Sequence, residues 1–130
     1  DNAVLHYRLG NLYNQKKDLK RAIIEYQQAL SLDPENTDAL YNMAVTYAMN
    51  KKDEKAIQAF KQIIELDPNN TAVCYNIACM YSRQNNKNKA VEWLKKAVSH
   101  GYNNWDKIRA EDDFKNIRTT KYFKHLVTSP

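Results

Sequence analysis

The stretch Ala3–Pro34, AVLHYRLGNLYNQKKDLKRAIIEYQQALSLDP, decides the fold, because its pattern returns 34 residues later and then once more. The repeated positions in the first copy are Tyr13, Ala22, Tyr26 and Ala29, followed by Asp33-Pro34. The second copy has Tyr47, Ala56, Phe60 and Ile63 with Asp67-Pro68, and the third has Tyr81, Ala90, Leu94 and Ala97. Self-similarity at a period of this length is typical of proteins built from stacked helical repeats.

The composition of the 130 residues favours an all-helical chain. Glycine occurs only at positions 10 and 101, too seldom for tight hairpins or a glycine-rich phosphate loop, whereas good helix formers are frequent. No stretch reaches the roughly 18 apolar residues of a membrane-spanning helix, so we expect no membrane insertion. The net charge of +5 arises late: residues 1–86 carry ten basic and ten acidic side chains, and residues 87–130 carry ten and five.

The sequence leaves the localisation open. It has no signal-peptide pattern and starts directly with repeat sequence, from which we infer an excised segment whose targeting signals are missing. Cys74 and Cys79 lie five residues apart in one expected helix. Helix geometry places their Cα atoms roughly 8.6 Å apart, too far for a disulfide. A reducing, cytoplasmic setting is compatible with this pair.

The helical spacing of apolar residues predicts one helix pair in each repeat. The expected pairs are Ala3–Gln15 with Leu19–Leu32, Thr37–Asn50 with Asp53–Leu66, and Thr71–Gln84 with Asn88–Ser99. Asp-Pro ends the second helix of the first two pairs, because proline lacks an N–H and disfavours helix at the residue before it. The expected N-caps are Asp18, Thr37, Thr71, Asn104, Asp112 and Thr120.

On these residues the chain resembles the tetratricopeptide repeat (TPR) family. The matching motifs are Leu9-Gly10-x2-Tyr13…Ala22…Tyr26…Ala29…Pro34, Met43-Ala44-x2-Tyr47…Ala56…Phe60…Pro68 and Ile77-Ala78-x2-Tyr81…Ala90…Leu94…Ala97. The resemblance implies an all-α, right-handed superhelical solenoid of three antiparallel helix-turn-helix hairpins, at residues 3–36, 37–70 and 71–102. The pattern fails after Gly101. We expect residues 103–130 to form a helical cap on the helix that contains Trp93, Leu94 and Val98.

The turn inside each pair departs from the family's usual glycine. This chain has Lys17, Lys51 and Asn85 at that position. Asparagine tolerates the left-handed backbone conformation better than lysine does. We therefore expect the first two turns to be built differently from the third.

The resemblance also implies a binding surface. In a TPR superhelix the first helix of each pair lines the concave side, and such surfaces bind extended peptides or helices. The 34-residue period predicts a groove lined by Tyr7, Arg8, Asn11, Tyr41, Asn42, Val45, Met49, Tyr75, Asn76, Cys79 and Arg83. Tyrosine gives contact area with a polar tip, and asparagine donates to and accepts from a peptide backbone. The expected function is a non-enzymatic scaffold or adaptor that binds a partner protein.

The chain departs from the TPR domains that bind the C-terminal tails of Hsp70 and Hsp90. Those domains use a carboxylate clamp of Lys and Asn, then Asn, then Lys and Arg. Asn11 and Asn42 match the clamp, whereas Tyr7, Ala72 and Asn76 replace its cations. We therefore expect a different protein or peptide partner.

The histidines and cysteines form no catalytic or metal-binding pattern. None of His6, His100 and His125 lies at the i, i+4 spacing from another His or Cys that a helix uses to hold zinc. His6 occupies a position where the family usually has a large packing residue, so it is expected in the core or at its rim. We expect no enzymatic activity, no cofactor and no metal.

A second hypothesis assigns binding of nucleic acid or of an acidic partner to the basic tail. Its cations and aromatic residues are Lys95, Lys96, Lys107, Arg109, Lys115, Arg118, Lys121 and Lys124, with Trp105 and Tyr122. Such residues contact phosphates and stack on bases. However, Glu111-Asp112-Asp113 interrupts the patch and no nucleic-acid motif accompanies it, so nucleic acid is the less favoured partner.

A third hypothesis is self-association through the first helix. Val4, Leu5 and Tyr13 are expected to leave an apolar patch there. Either further repeats precede Asp1, or this face contacts another molecule.

Overall fold

The computed structural model describes residues 1–128, and the described part of the chain is helical without strands. The helices are α1 Asn2–Gln15, α2 Leu19–Leu32, α3 Thr37–Met49, α4 Asp53–Leu66, α5 Thr71–Arg83, α6 Lys87–Ser99, α7 Trp105–Ala110 and α8 Lys121–Thr128, with a 3₁₀ turn at Asp112–Asn116. The all-α prediction is confirmed, and the six repeat helices start and end within one residue of the expected positions. None of the described helices is long and apolar enough to cross a membrane.

Asparagine side chains cap α3, α5 and α7, whereas Asp1 caps α1. The Oδ1 atoms of Asn36, Asn70 and Asn104 accept from backbone N–H groups three residues ahead, at 3.0, 3.1 and 3.1 Å. The prediction of Thr37 and Thr71 as N-caps is therefore wrong by one residue, because both are already helical. An asparagine oxygen satisfies an orphan donor of the first turn at least as well as a threonine hydroxyl.

Asp18 before α2 and Thr120 before α8 are confirmed as N-caps. Asp18 accepts from Arg21 N at 3.3 Å, and Thr120 Oγ1 accepts from Phe123 N at 3.3 Å. The prediction of Asp112 as an N-cap is wrong, because Asp112 begins the 3₁₀ turn and Glu111 precedes it without a side-chain cap.

The three turns inside the pairs are alike, which contradicts the expectation that the lysine turns differ. Lys17, Lys51 and Asn85 all have left-handed backbones, with φ of 63°, 61° and 59°. In each turn the following N–H donates to a tyrosine carbonyl in the last turn of the helix, at 2.9, 2.8 and 2.9 Å. This bond satisfies a carbonyl that the helix end leaves free. The hydrogen bond that closes the turn therefore imposes a left-handed backbone even on lysine, which disfavours that conformation.

The chain forms two compact units, of which unit 1 is Asp1–Pro68. In unit 1, α1 packs on α2, α2 on α3 and α3 on α4. The small residues expected at close helix contacts are fully buried at Ala22, Ala44 and Ala56. Large side chains fill the space around them, with Tyr26 at 0% and Phe60 at 2% exposure. The predicted packing roles of these positions are confirmed.

Unit 2 begins at Asn69 and contains α5, α6 and the cap. In the cap, the 3₁₀ turn packs against α5, where the Phe114 ring meets the Tyr75 ring edge-on at 5.3 Å. α8 reaches α6 through Tyr122, whose ring centroid lies 5.0 Å from Lys95 Nζ. The cap was predicted to lie on α6. It does contact α6 through Tyr122, but its buried side chains pack mainly against α5.

The cap continues the repeat in register. α7 begins 34 residues after α5, and α8 begins 34 residues after α6. The expectation that the repeat fails after Gly101 therefore holds for the packing residues but not for the helix positions. Asp112 and Lys124 stand where the earlier pairs have a small residue. Two charged side chains prevent close helix contact. The helix ends before Glu111, whose ψ is 114°. This break allows the Phe114 side chain to become fully buried.

Candidate functional site

A polar network joins the first helices of the two pairs in unit 1. Asn42 Nδ2 on α3 donates to Asn11 Oδ1 at 3.0 Å and to the Tyr7 hydroxyl at 3.2 Å, both on α1. Asn11 Oδ1 also accepts from the Tyr26 hydroxyl at 2.6 Å. The structure brings together Tyr7, Asn11 and Asn42, which the repeat period assigned to the concave side. It also adds Tyr26, which sequence reasoning assigned to packing alone.

Burial of Tyr26 makes this network rigid. Loss of solvent around the ring, together with nearby Tyr7, raises the pKa of Tyr26 to about 12. The hydroxyl therefore stays protonated at neutral pH and remains a donor to Asn11. The bonds from Tyr26 and Asn42 to Asn11 Oδ1 orient the Asn11 and Asn42 amide groups.

The network leaves two amide atoms without protein partners. Within residues 1–128, neither Asn11 Nδ2 nor Asn42 Oδ1 makes a hydrogen bond to another side chain or to the backbone. One is a donor and the other an acceptor, the same complement that a peptide group carries. The two asparagines can therefore pair with a ligand backbone without disturbing their mutual contact.

Larger side chains flank the asparagines on what we call the α1–α3 face, defined by Tyr7, Arg8 and Asn11 of α1 with Tyr41, Asn42, Val45 and Met49 of α3. Tyr41 and Met49 keep 38% and 40% of their surface exposed, and Arg8 is exposed. The Tyr41 ring rests edge-on against Phe60 at 5.8 Å, which fixes its position. The face combines exposed apolar area, a cation and the free amide atoms.

The predicted groove residues of α5 divide into two groups, and two of them are corrected. Tyr75 and Cys79 are 1% and 5% exposed, so their side chains offer no surface to a partner. Tyr102 stacks on the Tyr75 ring at 4.4 Å, and Phe114 meets that ring edge-on at 5.3 Å. The covering residues lie outside the repeat motif, which is why periodicity placed Tyr75 on a free face. Asn76 and Arg83 are half-buried.

Beneath the cap, Cys79 lies in a polar cluster with Glu111 and Asp113, whose ligand atoms are all within 4.8 Å of one another. Tyr75 donates to Glu111 Oε2 at 3.2 Å. Burial and the two carboxylates raise the pKa of the Cys79 thiol, and burial raises that of Cys74. A protonated thiol is a poor nucleophile, and the bond from Tyr75 to Glu111 joins α5 to the cap at this cluster.

The three histidines have different surroundings. His6 Nδ1 lies 2.7 Å from Glu25 Oε2 at a half-buried site, which agrees with the expected place at the core rim. His100 Nδ1 lies 2.8 Å from the Lys96 carbonyl, and His125 is exposed on α8.

The basic residues of the tail have two distinct roles. Arg118 donates to the carbonyls of Glu111 and Arg109, at 2.7 and 3.2 Å, and Arg109 pairs with Asp106. Lys107 lies over the Tyr75 ring, so these cations stabilise the cap.

The remaining tail cations lie on the surface. Lys95, Lys96, Lys121 and Lys124 are exposed on α6 and α8, together with Lys87 and Lys89, which the sequence-based list of tail cations omitted. Their accumulation on two helices could have been found by counting charge along each expected helix.

The apolar patch expected on α1 is exposed. Val4 and Leu5 keep 42% and 54% of their surface accessible, and Leu12 keeps 52%. Tyr13, which was also expected there, is half-buried beneath the Arg21 guanidinium, 5.8 Å from its ring centroid.

Comparison with protein families gives three overlapping matches. The family described as TPR repeat matches residues 10–51, and two families described as tetratricopeptide repeat match residues 37–70 and 54–111. The third match extends through α7, in agreement with the register of the cap. Among curated proteins there is no significant match.

Solved structures with the same fold are numerous. MamA is 26% identical over 76% of this chain and 58% of its own (TM-score 0.73). YrrB, described as a TPR protein with an unusual peptide-binding site, is 28% identical over 78% of this chain and 52% of its own (TM-score 0.71). This chain thus spans little more than half of either protein.

A third structure, the first TPR of Spaghetti (RPAP3) bound to an HSP90 peptide, covers 98% of this chain and 94% of its own, with a TM-score of 0.74. Its identity of 18% makes it a likeness of fold alone. The 34-residue register, the helix pairs and the family matches agree, and the chain belongs to the tetratricopeptide repeat family.

Proposed function

We propose that this chain is a non-enzymatic protein-interaction module that binds a peptide or helix of a partner protein on the α1–α3 face. The observation that carries the proposal is the bonded Asn11–Asn42 pair, in which Asn11 Nδ2 and Asn42 Oδ1 remain available as one donor and one acceptor. A peptide group that pairs with both is recognised through its backbone. Tyr41 and Met49 then supply contact area for the ligand's side chains.

The relatives support a peptide ligand in general terms. YrrB is described as having a peptide-binding site, and the Spaghetti domain as bound to an HSP90 peptide. We extend to this chain the general role and not the particular ligand. The clamp cations are replaced by Tyr7, Ala72 and Asn76, so an Hsp70 or Hsp90 tail is not the partner we propose.

The scaffold role is proposed in preference to catalysis. The buried thiols have raised pKa values, and the three histidines lie on separate elements. A catalytic nucleophile needs a base within hydrogen-bond reach. We therefore assign the chain no catalytic residue and no cofactor.

The test is selection of peptides from a displayed library of random sequences on the whole chain. Fluorescence anisotropy then measures the affinity of each selected peptide for three variants: Asn11→Ala, Asn42→Ala and Tyr41→Ala. We expect each substitution to weaken binding by about tenfold or more, because central polar and aromatic anchors dominate peptide recognition. The matched control is Gln58→Ala, an exposed residue of α4 outside the face.

Circular dichroism checks that every variant remains folded. If the selected peptides bind all three variants as tightly as the control, the α1–α3 face is not the site. If no peptide is selected, the chain does not act as a peptide-binding module.

Self-association through α1 is a second candidate, and the exposure of Leu5 and Leu12 favours it. The matching positions on α3, Ala39 and Thr46, are fully buried, so this face of a repeat helix normally has a neighbour. Sedimentation velocity over a range of concentrations tests the idea. Leu5→Lys with Leu12→Lys should abolish any association, whereas Leu32→Lys with Leu66→Lys, also at exposed leucines, should not.

A further inference from the structure

Charge is segregated between the two units. Unit 1 carries nine basic and ten acidic side chains, a net charge of −1, whereas residues 69–130 carry eleven and five, a net charge of +6. The excess lies on the second helices of the pairs. α6 and α8 together have six exposed lysines and one glutamate, whereas α2 and α4 have four basic and four acidic residues. Unit 2 therefore presents a local basic surface.

The lysines surround a cleft of about 560 Å³ between α6 and the start of α8. It is lined by Lys87, Asn88, Val91, Glu92, Lys95, Lys96, Thr120 and Tyr122. Val91 and the Tyr122 ring form the apolar part of the lining, and Lys87, Lys95 and Lys96 surround it. Lys95 Nζ lies 5.0 Å from the centroid of the Tyr122 ring, and Lys96 Nζ lies 4.2 Å from that of Trp93. The aromatic rings hold these two ammonium groups near the cleft.

Unit 1 contains a smaller cleft lined by residues of α2, α3 and α4, and that cleft lacks the basic character. It measures about 300 Å³ and is lined by Gln27, Met43, Tyr47, Lys55, Gln58, Ala59 and Gln62. Along the 34-residue register, Lys95 corresponds to Gln27 in the first repeat and to Lys61 in the second, and Lys96 corresponds to Gln28 and Gln62. The adjacent pair Lys95-Lys96 is therefore a property of the third repeat and not a requirement of the fold.

We propose that the cleft between α6 and α8 binds an acidic amphipathic segment of another protein. Lys87 and Lys95 are eight residues apart on α6, about 12 Å along the helix axis at roughly 1.5 Å per residue. A partner helix with carboxylates two turns apart has the same spacing. Its apolar side chains lie against Val91 and Tyr122. This site is separate from the α1–α3 face and does not depend on peptide binding there.

The cleft fits an acidic protein segment better than a nucleic acid. Binding of single strands relies on exposed aromatic faces on which bases stack. Here Trp93 is only 8% exposed, and the Tyr122 and Trp93 rings are covered by ammonium groups. The two tail arginines, which would suit bidentate phosphate contacts, are bonded within the cap.

The test uses three fluorescein-labelled probes on the whole chain. The first is a 16-residue helix-forming peptide with leucines on one face flanked by glutamates two turns apart. The second is the same peptide with every glutamate replaced by glutamine, and the third is a 16-nucleotide oligothymidylate. Anisotropy titrations are made on the wild type and on Lys95→Gln with Lys96→Gln, which gives α6 the glutamines of the first repeat.

We expect the acidic peptide to bind the wild type and the double variant to bind it about five- to tenfold more weakly, because each partly exposed ion pair contributes modestly. The matched control is Lys16→Gln with Lys20→Gln, two exposed lysines of unit 1, which removes the same charge and should leave binding unchanged. Lys87→Gln serves as a second variant at the other end of the cleft. It remains informative if the loss of two cation–ring contacts unfolds the double variant.

Four results would overturn the proposal. The glutamine peptide could bind as tightly as the acidic one, which would make the site simply apolar. The oligothymidylate could bind more tightly than the acidic peptide. The unit 1 control could weaken binding as much as the cleft variants, so that net charge alone is responsible. Finally, the acidic peptide could fail to bind the wild type.

Discussion

At Gly10, α1 and α2 approach so closely that a Cβ atom would lie 2.6 Å from Cε1 and 2.7 Å from Cδ1 of Tyr26. The ring is fully buried and its hydroxyl is bonded to Asn11, so it has no room to move. The later pairs have alanine at this position, with Phe60 and Leu94 in place of the tyrosine. The glycine is therefore tied to the particular side chain opposite it.

We predict that Gly10→Ala lowers the free energy of unfolding by about 1–2 kcal/mol. Overpacking costs roughly 1–3 kcal/mol, and the better helix propensity of alanine offsets up to about 1 kcal/mol. In a Tyr26→Leu background, which copies the Ala78–Leu94 pair of the third repeat, the same substitution should cost little or stabilise. Urea unfolding of the four chains measures the coupling. Equal costs in both backgrounds would show that Tyr26 is not the cause.

The proposed site could be predicted only in part from single residues. The repeat period found Asn11 and Asn42, because equivalent positions of successive first helices face the same way. It did not predict that Asn42 bonds to Tyr7 and Asn11, since that contact depends on the distance between α1 and α3. Nor did it predict the burial of Tyr75, whose cover comes from Tyr102 and Phe114 outside the motif.

At the scale of the elements, the turn that joins each helix pair imposes a left-handed residue whatever the side chain. The backbone bond from Asp18 N to the Tyr13 carbonyl, 2.9 Å long, closes the first turn. Its counterparts close the other two. A left-handed conformation costs a residue with a Cβ roughly 1–2 kcal/mol. Lys17 and Lys51 therefore hold strain that the turn hydrogen bonds offset.

Lys17→Gly should stabilise the chain by about 0.5–1 kcal/mol, because glycine adopts positive φ without the steric cost but loses more entropy on folding. Asn85→Gly should gain less, since asparagine already tolerates this region. Lys16→Gly is the matched control: Lys16 has φ of −81°, so glycine there should destabilise. Thermal and urea unfolding of the three variants provide the comparison. Stabilisation by Lys16→Gly of the same size would remove strain at Lys17 as the explanation.

The six repeat helices were predictable because periodic apolar positions and Asp-Pro stops define them locally. The fourth pair was not recognised, because its packing residues are replaced by Asp112 and Lys124. The capping residues do carry the signal: Asn36, Asn70 and Asn104 are spaced by 34, as are Asn86 and Thr120. An N-cap residue satisfies free backbone N–H groups at the start of its own helix. It is therefore retained where the packing residues have been replaced.

At the scale of the whole molecule, the chain consists of two units with different surfaces. Unit 1 has nearly balanced charge and carries the asparagine pair, whereas unit 2 concentrates the basic residues. In repeat proteins the stability is close to a sum of local terms and nearest-neighbour contacts. Damage at one end should therefore remain local, which gives the division into units a measurable consequence.

Phe114 offers the test of that division. Its ring is fully buried and lies 5.3 Å from Tyr75 and 5.9 Å from Phe123, both in unit 2. Phe114→Ala should cost about 3–5 kcal/mol through lost burial and a cavity. Because those contacts all lie in unit 2, hydrogen exchange should accelerate in α5 and the cap and stay nearly unchanged in α1–α3. The control, Phe60→Ala in unit 1, should give the opposite pattern. If Phe114→Ala accelerates exchange in α1 as much as in α5, the chain unfolds as one cooperative body. The two units then have the same free energy of unfolding.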